Sequence, residues 1–390
     1  MKKKIFKSAI TVILCSIVVF VITLFNTLGA DKLEAYFSVF SFPEDFTEKQ
    51  PLSTMNFDML NDTEKKAYIS VFNNIENHPE YIKIPLLSQT EFENVYFAVK
   101  NDNPDILCFS DSCNMISFMS SSFLQLQYDY EKDECDAKTD ELNRKAEEII
   151  RIVDVSDEYT AELAIHDYIV VNCSYEEDAE NASNAYGCLV GGEAVCSGYS
   201  RAAMLLLKKA GVKSMLIGGT GITAKDESIS HMWNIVWIDE KPYHLDVTWD
   251  DPDFSENIIS HMFFNLTTAD ISVDHKEFSV NIDCNSTESG YFVMENLLFD
   301  RYDSETLTQI KSRLCENINS GKNYIEIEFA ESDEFDIAVE SIIDNSSPSS
   351  DMYKIVSYVS ENTENKVDTS HINFVKENEK NYIRLMFDTV

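Results

Sequence analysis

The chain has 390 residues, 44% of them hydrophobic and 12% aromatic, enough for a sizeable core and two or three structural units, which excludes a disordered tail. Its formal charge is −37. Of its 31 basic residues, Lys2, Lys3, Lys4 and Lys7 precede a long apolar run, and the remainder face 68 acids, a balance of −41. Nucleic acid is therefore a poor partner, and cationic or amine-bearing substrates are better ones, although the same acidity also serves solubility.

From Ser8 to Ala30 no residue is charged. A basic run followed by an apolar stretch of this length predicts a membrane-spanning anchor at residues 1–30, with the rest of the chain outside the cytoplasm. Cleavage after Gly29 or Ala30, giving a secreted protein, is the competing reading. Eight of the nine cysteines follow the anchor. Their spacing is neither a dense disulfide framework nor a repeated CxxC metal pattern, though it allows Cys108 to pair with Cys113 and Cys173 with Cys188. No metal and no cofactor is expected.

Residues 31–155 read as a helix-and-strand region. Helices are expected at Asp62–Ile75 and Thr90–Val99, extended runs at Ile106–Phe109 and Met115–Tyr130, and an amphipathic helix at Asp136–Val153, with Leu142, Ala146, Ile149, Ile150 and Val153 on one face. Residues 156–280 open with a helix capped by Ser156 and running to about Val171. The loop Tyr175–Gly192 then leads to Cys196. Ser197–Ala210 is apolar almost all round and ends at Gly211, the pattern of a buried central helix. A strand is expected at Val212–Gly218 and a hairpin at His231–Ile238 and Tyr243–Trp249. Residues 281–390 read as a separate small α/β unit: Tyr291–Met294 as a strand, Ser304–Asn317 a helix, Tyr324–Phe329 a strand, Glu334–Asp344 a helix, then a further helix and two strands.

A thiol attacks amides as the thiolate, a form favoured at a helix N-terminus beside an imidazolium. Cys196 has that position, and Gly198 allows another element to approach its turn closely. A base must reach the sulfur, and a third group must orient the imidazole. If the hairpin turns on Asp239 and Glu240, Trp233 faces Asp246, and His231 is its diagonal neighbour on the same sheet face. An odd-length turn without a bulge would separate them.

The stretches Ala194-Val195-Cys196-Ser197-Gly198-Tyr199-Ser200, His231-Met232-Trp233-Asn234 and Tyr243-His244-Leu245-Asp246-Val247-Thr248-Trp249-Asp250-Asp251-Pro252 resemble the three signature segments of bacterial transglutaminase-like domains. His166-Asp167-Tyr168 and the span from His261 to His275 look like the flanking pattern of the same group, and Asn103-Pro104 resembles less specifically the region before such domains. The resemblance implies an α+β, papain-like core in which a cysteine on a central helix packs against an antiparallel sheet. It implies Cys196 as nucleophile, His231 as general base and acid, and Asp246 as orienting carboxylate. Such domains often carry Asp-Gly where this chain has Asp239-Glu240, so a less tight turn is expected.

Trp233 and Tyr199 are candidate substrate contacts, with core packing as the competing role of each. His244 shares the face of His231 but is read as structural. The run Asp250, Asp251 and Asp253 is read as a solvated turn and cap rather than a calcium loop. The amide of Cys196 and a group from Tyr175–Gly192 are the natural oxyanion donors. The expected function is acyl transfer or hydrolysis at peptide or protein amides, with water or an amine as acceptor. The alternative is a surface binding or assembly module with a vestigial triad.

Overall fold

The computed structural model describes residues 42–389, apart from 48, 119–120, 224, 252–257, 345–346, 348–349 and 364–366. The expected anchor at residues 1–30 lies outside the described residues. Among these, no helix is long and apolar enough to cross a membrane. The chain divides into two compact units, Met1–Glu134 and Cys135–Val390.

In the first unit, helices α1 (Asp62–Phe72) and α2 (Gln89–Asp102) accompany an antiparallel sheet of β1 (Tyr81–Pro85), β2 (Phe109–Phe118) and β3 (Ser121–Tyr128) in the order β1-β3-β2. Both helices start at capping boxes, Asn61 with Glu64 and Ser88 with Glu91, in which side chain and backbone satisfy each other's free donors. Tyr68, Val71, Val95, Val99 and Leu124 form part of the core. Asp102 is buried and accepts from Asn56 N, Asn56 Nδ2 and Phe57 N, tying down a short helix at Met55–Met59.

The second unit takes up α3 (Lys132–Ile152), whose buried residues Leu142, Ala146 and Ile149 lie on the expected apolar face. Helix α4 (Glu158–Asn172) begins one residue later than the sequence implies. Asp157, not Ser156, is the cap, because its carboxylate accepts from both Thr160 N and Thr160 Oγ1. A short parallel pair, β4 (Ser174–Tyr175) and β5 (Glu193–Ala194), leads into the central helix α5 (Cys196–Lys209). Residues 202–207 of α5 are all almost fully buried, and Gly211, at φ +86°, turns the chain out of the helix. Beside it lies an antiparallel sheet of β6 (Lys213–Ile222), β7 (Ser228–Ile238), β8 (Lys241–Leu245) and β9 (His275–Lys276), in the order β8-β7-β6-β9.

The β7–β8 register is Ile238↔Lys241 and Asn234↔Leu245, so the connection is the two residues Asp239 and Glu240. Both adopt left-handed conformations, at φ 49° and 62°. The expected looser turn is thus not found: the hairpin is tight without glycine, at a backbone cost of roughly 1–2 kcal/mol per residue.

The C-terminal part carries a mixed sheet of β10 (Leu298–Phe299), β11 (Tyr324–Phe329), β12 (Val367–Glu377) and β13 (Tyr382–Thr389), in the order β10-β11-β13-β12. It is accompanied by α6 (Ser304–Asn319), α7 (Ser332–Val339) and α8 (Asp351–Asn362). Ile310, Leu314, Ile325, Ile327, Phe335 and Leu385 lie in its core. Tyr291–Met294 is a short helix rather than the expected strand; Leu298–Phe299 supplies the strand that pairs with β11. This sheet belongs to the same compact unit as Cys196.

Cys108 and Cys135 are disulfide-bonded, whereas Cys113, Cys173 and Cys188 are free. Neither pairing considered from the spacing is present.

Candidate active site

Cys196 is the first residue of α5, half-buried, at a helix end that no side chain caps. The first-turn amides there carry the positive end of the helix dipole. The turn is held from two sides. Val195 N donates to Ala182 O, and Ser200 Oγ lies 2.7 Å from Cys196 O and 2.8 Å from Met232 O, coupling the helix start to β7. Asn234 Nδ2 returns the connection by donating to Ser200 O at 3.1 Å. At Gly198 a Cβ would meet Ala182 O at 2.3 Å and Ala194 Cβ at 2.7 Å, so glycine is what lets the preceding loop close over the turn.

The two-residue turn sets His231 and Asp246 on one face. His231 Nε2 lies 2.6 Å from Asp246 Oδ2, both nearly inaccessible to solvent, which leaves Nδ1 uncommitted, and the Cys196 thiol is close enough to contribute to the His231 pKa. Burial alone would lower the His231 pKa. The charge and hydrogen bond of Asp246, with smaller contributions from Cys196, outweigh it and raise the pKa to about 10. Burial likewise would raise the Asp246 pKa, but His231 and His275 hold it below the usual carboxylate range.

Asp246 is itself locked. Its Oδ1 accepts from Thr248 N at 3.1 Å and Trp249 N at 3.3 Å, an Asx turn that ends β8 at Leu245 instead of letting it run to Trp249. His275 on β9 places Nε2 3.1 Å from the same Oδ2 and Nδ1 2.7 Å from Asp274 Oδ1. Trp249 is half-buried, with its ring centroid 5.0 Å from that of His231 and 4.4 Å from that of His275. Gly221 makes room for it, since a Cβ there would meet the indole at 2.7 Å.

The structure thus gathers Cys196, His231 and Asp246. It does not place Trp233 or Tyr199 where a substrate would touch them, because both are fully buried. Trp233 packs beside His231 with its ring plane 17° from the imidazole's, and donates Nε1 to His244 Nδ1 at 3.1 Å; Tyr199 donates its hydroxyl to Asp251. Trp233 thus covers one face of the His231 imidazole, and Tyr199 is a buried core residue. His244 is fully buried, and burial, then the neighbouring His275, lower its pKa to about 4, so it accepts as a neutral ring. Asp250 is not a solvated turn residue: it is fully buried, and accepts from Phe263 N. Asp253 lies outside the described residues. Sequence patterning does not mark His275 or Trp249 as site residues: a long segment separates the first from Asp246, and the second reads as the end of a strand.

The chemistry of such a set is nucleophilic attack by sulfur with proton transfer through one imidazole. The family model of the transglutaminase-like superfamily matches residues 146–247, which include all three residues. A solved structure of a candidate cysteine protease from Cytophaga hutchinsonii is similar at 13% identity and TM-score 0.24, over 35% of this chain and 61% of that one. A structure described as a TGase is similar at 13% identity and TM-score 0.24, over 43% of this chain and 50% of the other. This chain therefore spans 61% and 50% of those two chains, less than two thirds of either. No curated protein matches. Residues 146–247 are a domain of the transglutaminase-like superfamily.

Proposed function

We propose that the protein is an extracytoplasmic cysteine enzyme that performs acyl transfer or hydrolysis at peptide or protein amides through a Cys196 thioester. The observation that carries the reading is His231 paired with the Asp246 carboxylate at 2.6 Å and electrostatically coupled to the Cys196 thiol at the start of α5. The thiol gives its proton to His231 Nδ1, and the sulfur adds to the amide carbonyl carbon. His231 then protonates the departing nitrogen, leaving as ammonia from a glutamine side chain or as an amine from a peptide bond. Water or a second amine attacks the thioester, gives its proton to His231, and expels the Cys196 sulfur. Asp246 Oδ2 accepts the Nε2 hydrogen throughout and balances the imidazolium. The uncapped amide of Cys196 is the natural oxyanion donor.

Placement outside the cytoplasm is supported by the lysine-led apolar run at residues 1–30 and by the disulfide-bonded Cys108 and Cys135, since disulfides persist in oxidising compartments. Retention in membranes after high-salt washing, with the chain open to external protease, is the expected result. Recovery in the medium with a new terminus near Asp31 would mean cleavage.

The decisive assay is mass spectrometry after incubation with a glutamine-containing protein and a primary amine. Amine incorporation, deamidation and backbone cleavage give three different mass changes. No change, together with alkylation of Cys196 no faster than that of an ordinary thiol near neutral pH, would leave a binding module instead.

A further inference from the structure

His166 and His261 lie outside the Cys196 site, both essentially inaccessible, with ring centroids 5.2 Å apart. His166 Nδ1 is 3.1 Å, and His261 Nε2 3.0 Å, from one and the same oxygen, Asp167 Oδ1. The opposite nitrogen of each ring is held by a buried carboxylate. His166 Nε2 lies 3.3 Å from Asp250 Oδ2, and His261 Nδ1 lies 2.7 Å from Glu326 Oε2. Both carboxylates are anchored in turn, Asp250 by Phe263 N and Glu326 by the Tyr382 hydroxyl and His261 N. The His261 ring is further fixed by face-to-face stacking on Tyr291, at 3.7 Å and 3°.

Each imidazole therefore has one nitrogen committed to a carboxylate and the other aimed, with its partner, at a shared acid. Metal-ligating histidines are oriented in this way: the second nitrogen donates to a carboxylate, which fixes the tautomer and strengthens the ligand. A cavity of about 110 Å³, lined in part by Asp167, His261, Glu295, Asn317 and Lys322, reaches the same point, and the Asp167 side chain is one-quarter exposed.

We propose that His166 Nδ1, His261 Nε2 and Asp167 form a binding site for one divalent first-row transition metal, best suited to zinc, with its remaining positions filled from the cavity. Two nitrogens and one carboxylate oxygen suit zinc rather than calcium or magnesium, which take oxygen ligands. Bonds of about 2.0–2.1 Å set tetrahedral ligand atoms roughly 3.3 Å apart; the two N···O spans of 3.0 and 3.1 Å are within a few tenths of an ångström of that, and all three ligand atoms lie within 4.8 Å of one another. One divalent cation replaces two protons, leaving the net charge among the three carboxylates unchanged. Lys322 Nζ lies 4.0 Å from the other Asp167 oxygen and is half-exposed, free to move as the ion enters. His231, Asp246 and His275 also converge, but on the nucleophile's own base. The proposal thus departs from the expectation of no metal.

The test uses the full chain in detergent, stripped with a chelator and returned to zinc or cobalt. The expected result is one retained zinc per chain by elemental analysis, and ligand-field absorption from bound cobalt. Both persist in His231→Ala, are lost in His261→Gln and in Asp167→Asn, and weaken 10- to 100-fold in affinity in Glu326→Gln. Circular dichroism checks that each variant is folded. Zero equivalents retained by the native chain overturns the proposal whatever the variants do. So does zinc that His231→Ala loses while folded His261→Gln or Asp167→Asn keeps it.

Discussion

His275 Nε2 lies 3.1 Å from the Asp246 oxygen that already holds His231. One carboxylate oxygen thus orients two imidazoles, and both depend on its charge. Burial would lower the His275 pKa, but hydrogen bonds to Asp246 and Asp274 raise it, so His275 brings positive charge up behind His231. Removing it in His275→Ala should raise the pKa of His231. The expected result is a fall of about tenfold in kcat/KM and an alkaline limb of the pH–rate profile moved upward. An alkaline limb moved downward would count against this account.

The triad should act as a unit. Cys196→Ala and His231→Ala are each expected to abolish turnover, by more than roughly 10⁴-fold, while Asp246→Ala keeps a low residual rate because the imbalanced imidazole still samples useful orientations. Single-turnover assays on folded variants provide the check. Full activity in Cys196→Ala would exclude the thioester route.

Gly198→Ala puts a methyl 2.3 Å from Ala182 O and 2.7 Å from Ala194 Cβ. Both neighbours belong to backbone-bonded segments, as Val195 N donates to Ala182 O. The expected cost is about 1–3 kcal/mol of stability, with loss of activity because the turn carrying Cys196 must move. Thermal melts and kcat measured together test this, and an unchanged kcat would contradict it.

Glu162 is fully buried, and one of its oxygens accepts from Asn265 Nδ2 at 2.7 Å. Burial raises its pKa from 4.5 to about 8. A raised folded pKa means that the proton is held more tightly in the folded state. The stability it confers is complete below about pH 4.5 and is lost as pH rises toward about 8, at up to about 1.4 kcal/mol per pH unit. Glu162→Gln removes that dependence, and should be more stable than the native chain at pH 9. Urea titrations at pH 5, 7 and 9 would show whether the slope disappears.

What the sequence revealed was what local pattern encodes. The apolar run Ala202–Leu207 could be nothing but a buried helix, and an even turn at Asp239-Glu240 was enough to bring His231 and Asp246 to one face. His275 reaches Asp246 only because β9 pairs with β6, Gly221 opposite His275, a contact between segments that no periodicity records. Trp233 and Tyr199 stand beside the signature residues in the sequence, yet adjacency in the chain does not mean adjacency to substrate: their hydroxyl and N–H are spent inward on Asp251 and His244. Tyr291–Met294 is helical where the sequence predicts a strand, because four apolar residues fit a strand and a helix turn equally well.

The C-terminal sheet reaches into the body that carries Cys196. Glu326 on β11 holds His261, the Tyr324 hydroxyl receives Ile259 N, and Lys380 pairs with Asp274, the acid behind His275. The last hundred residues are thus masonry in the wall of the chamber rather than a detachable recognition head. A premature stop near residue 290 would leave buried His261 without Glu326, a defect of about 3–5 kcal/mol for a broken buried pair.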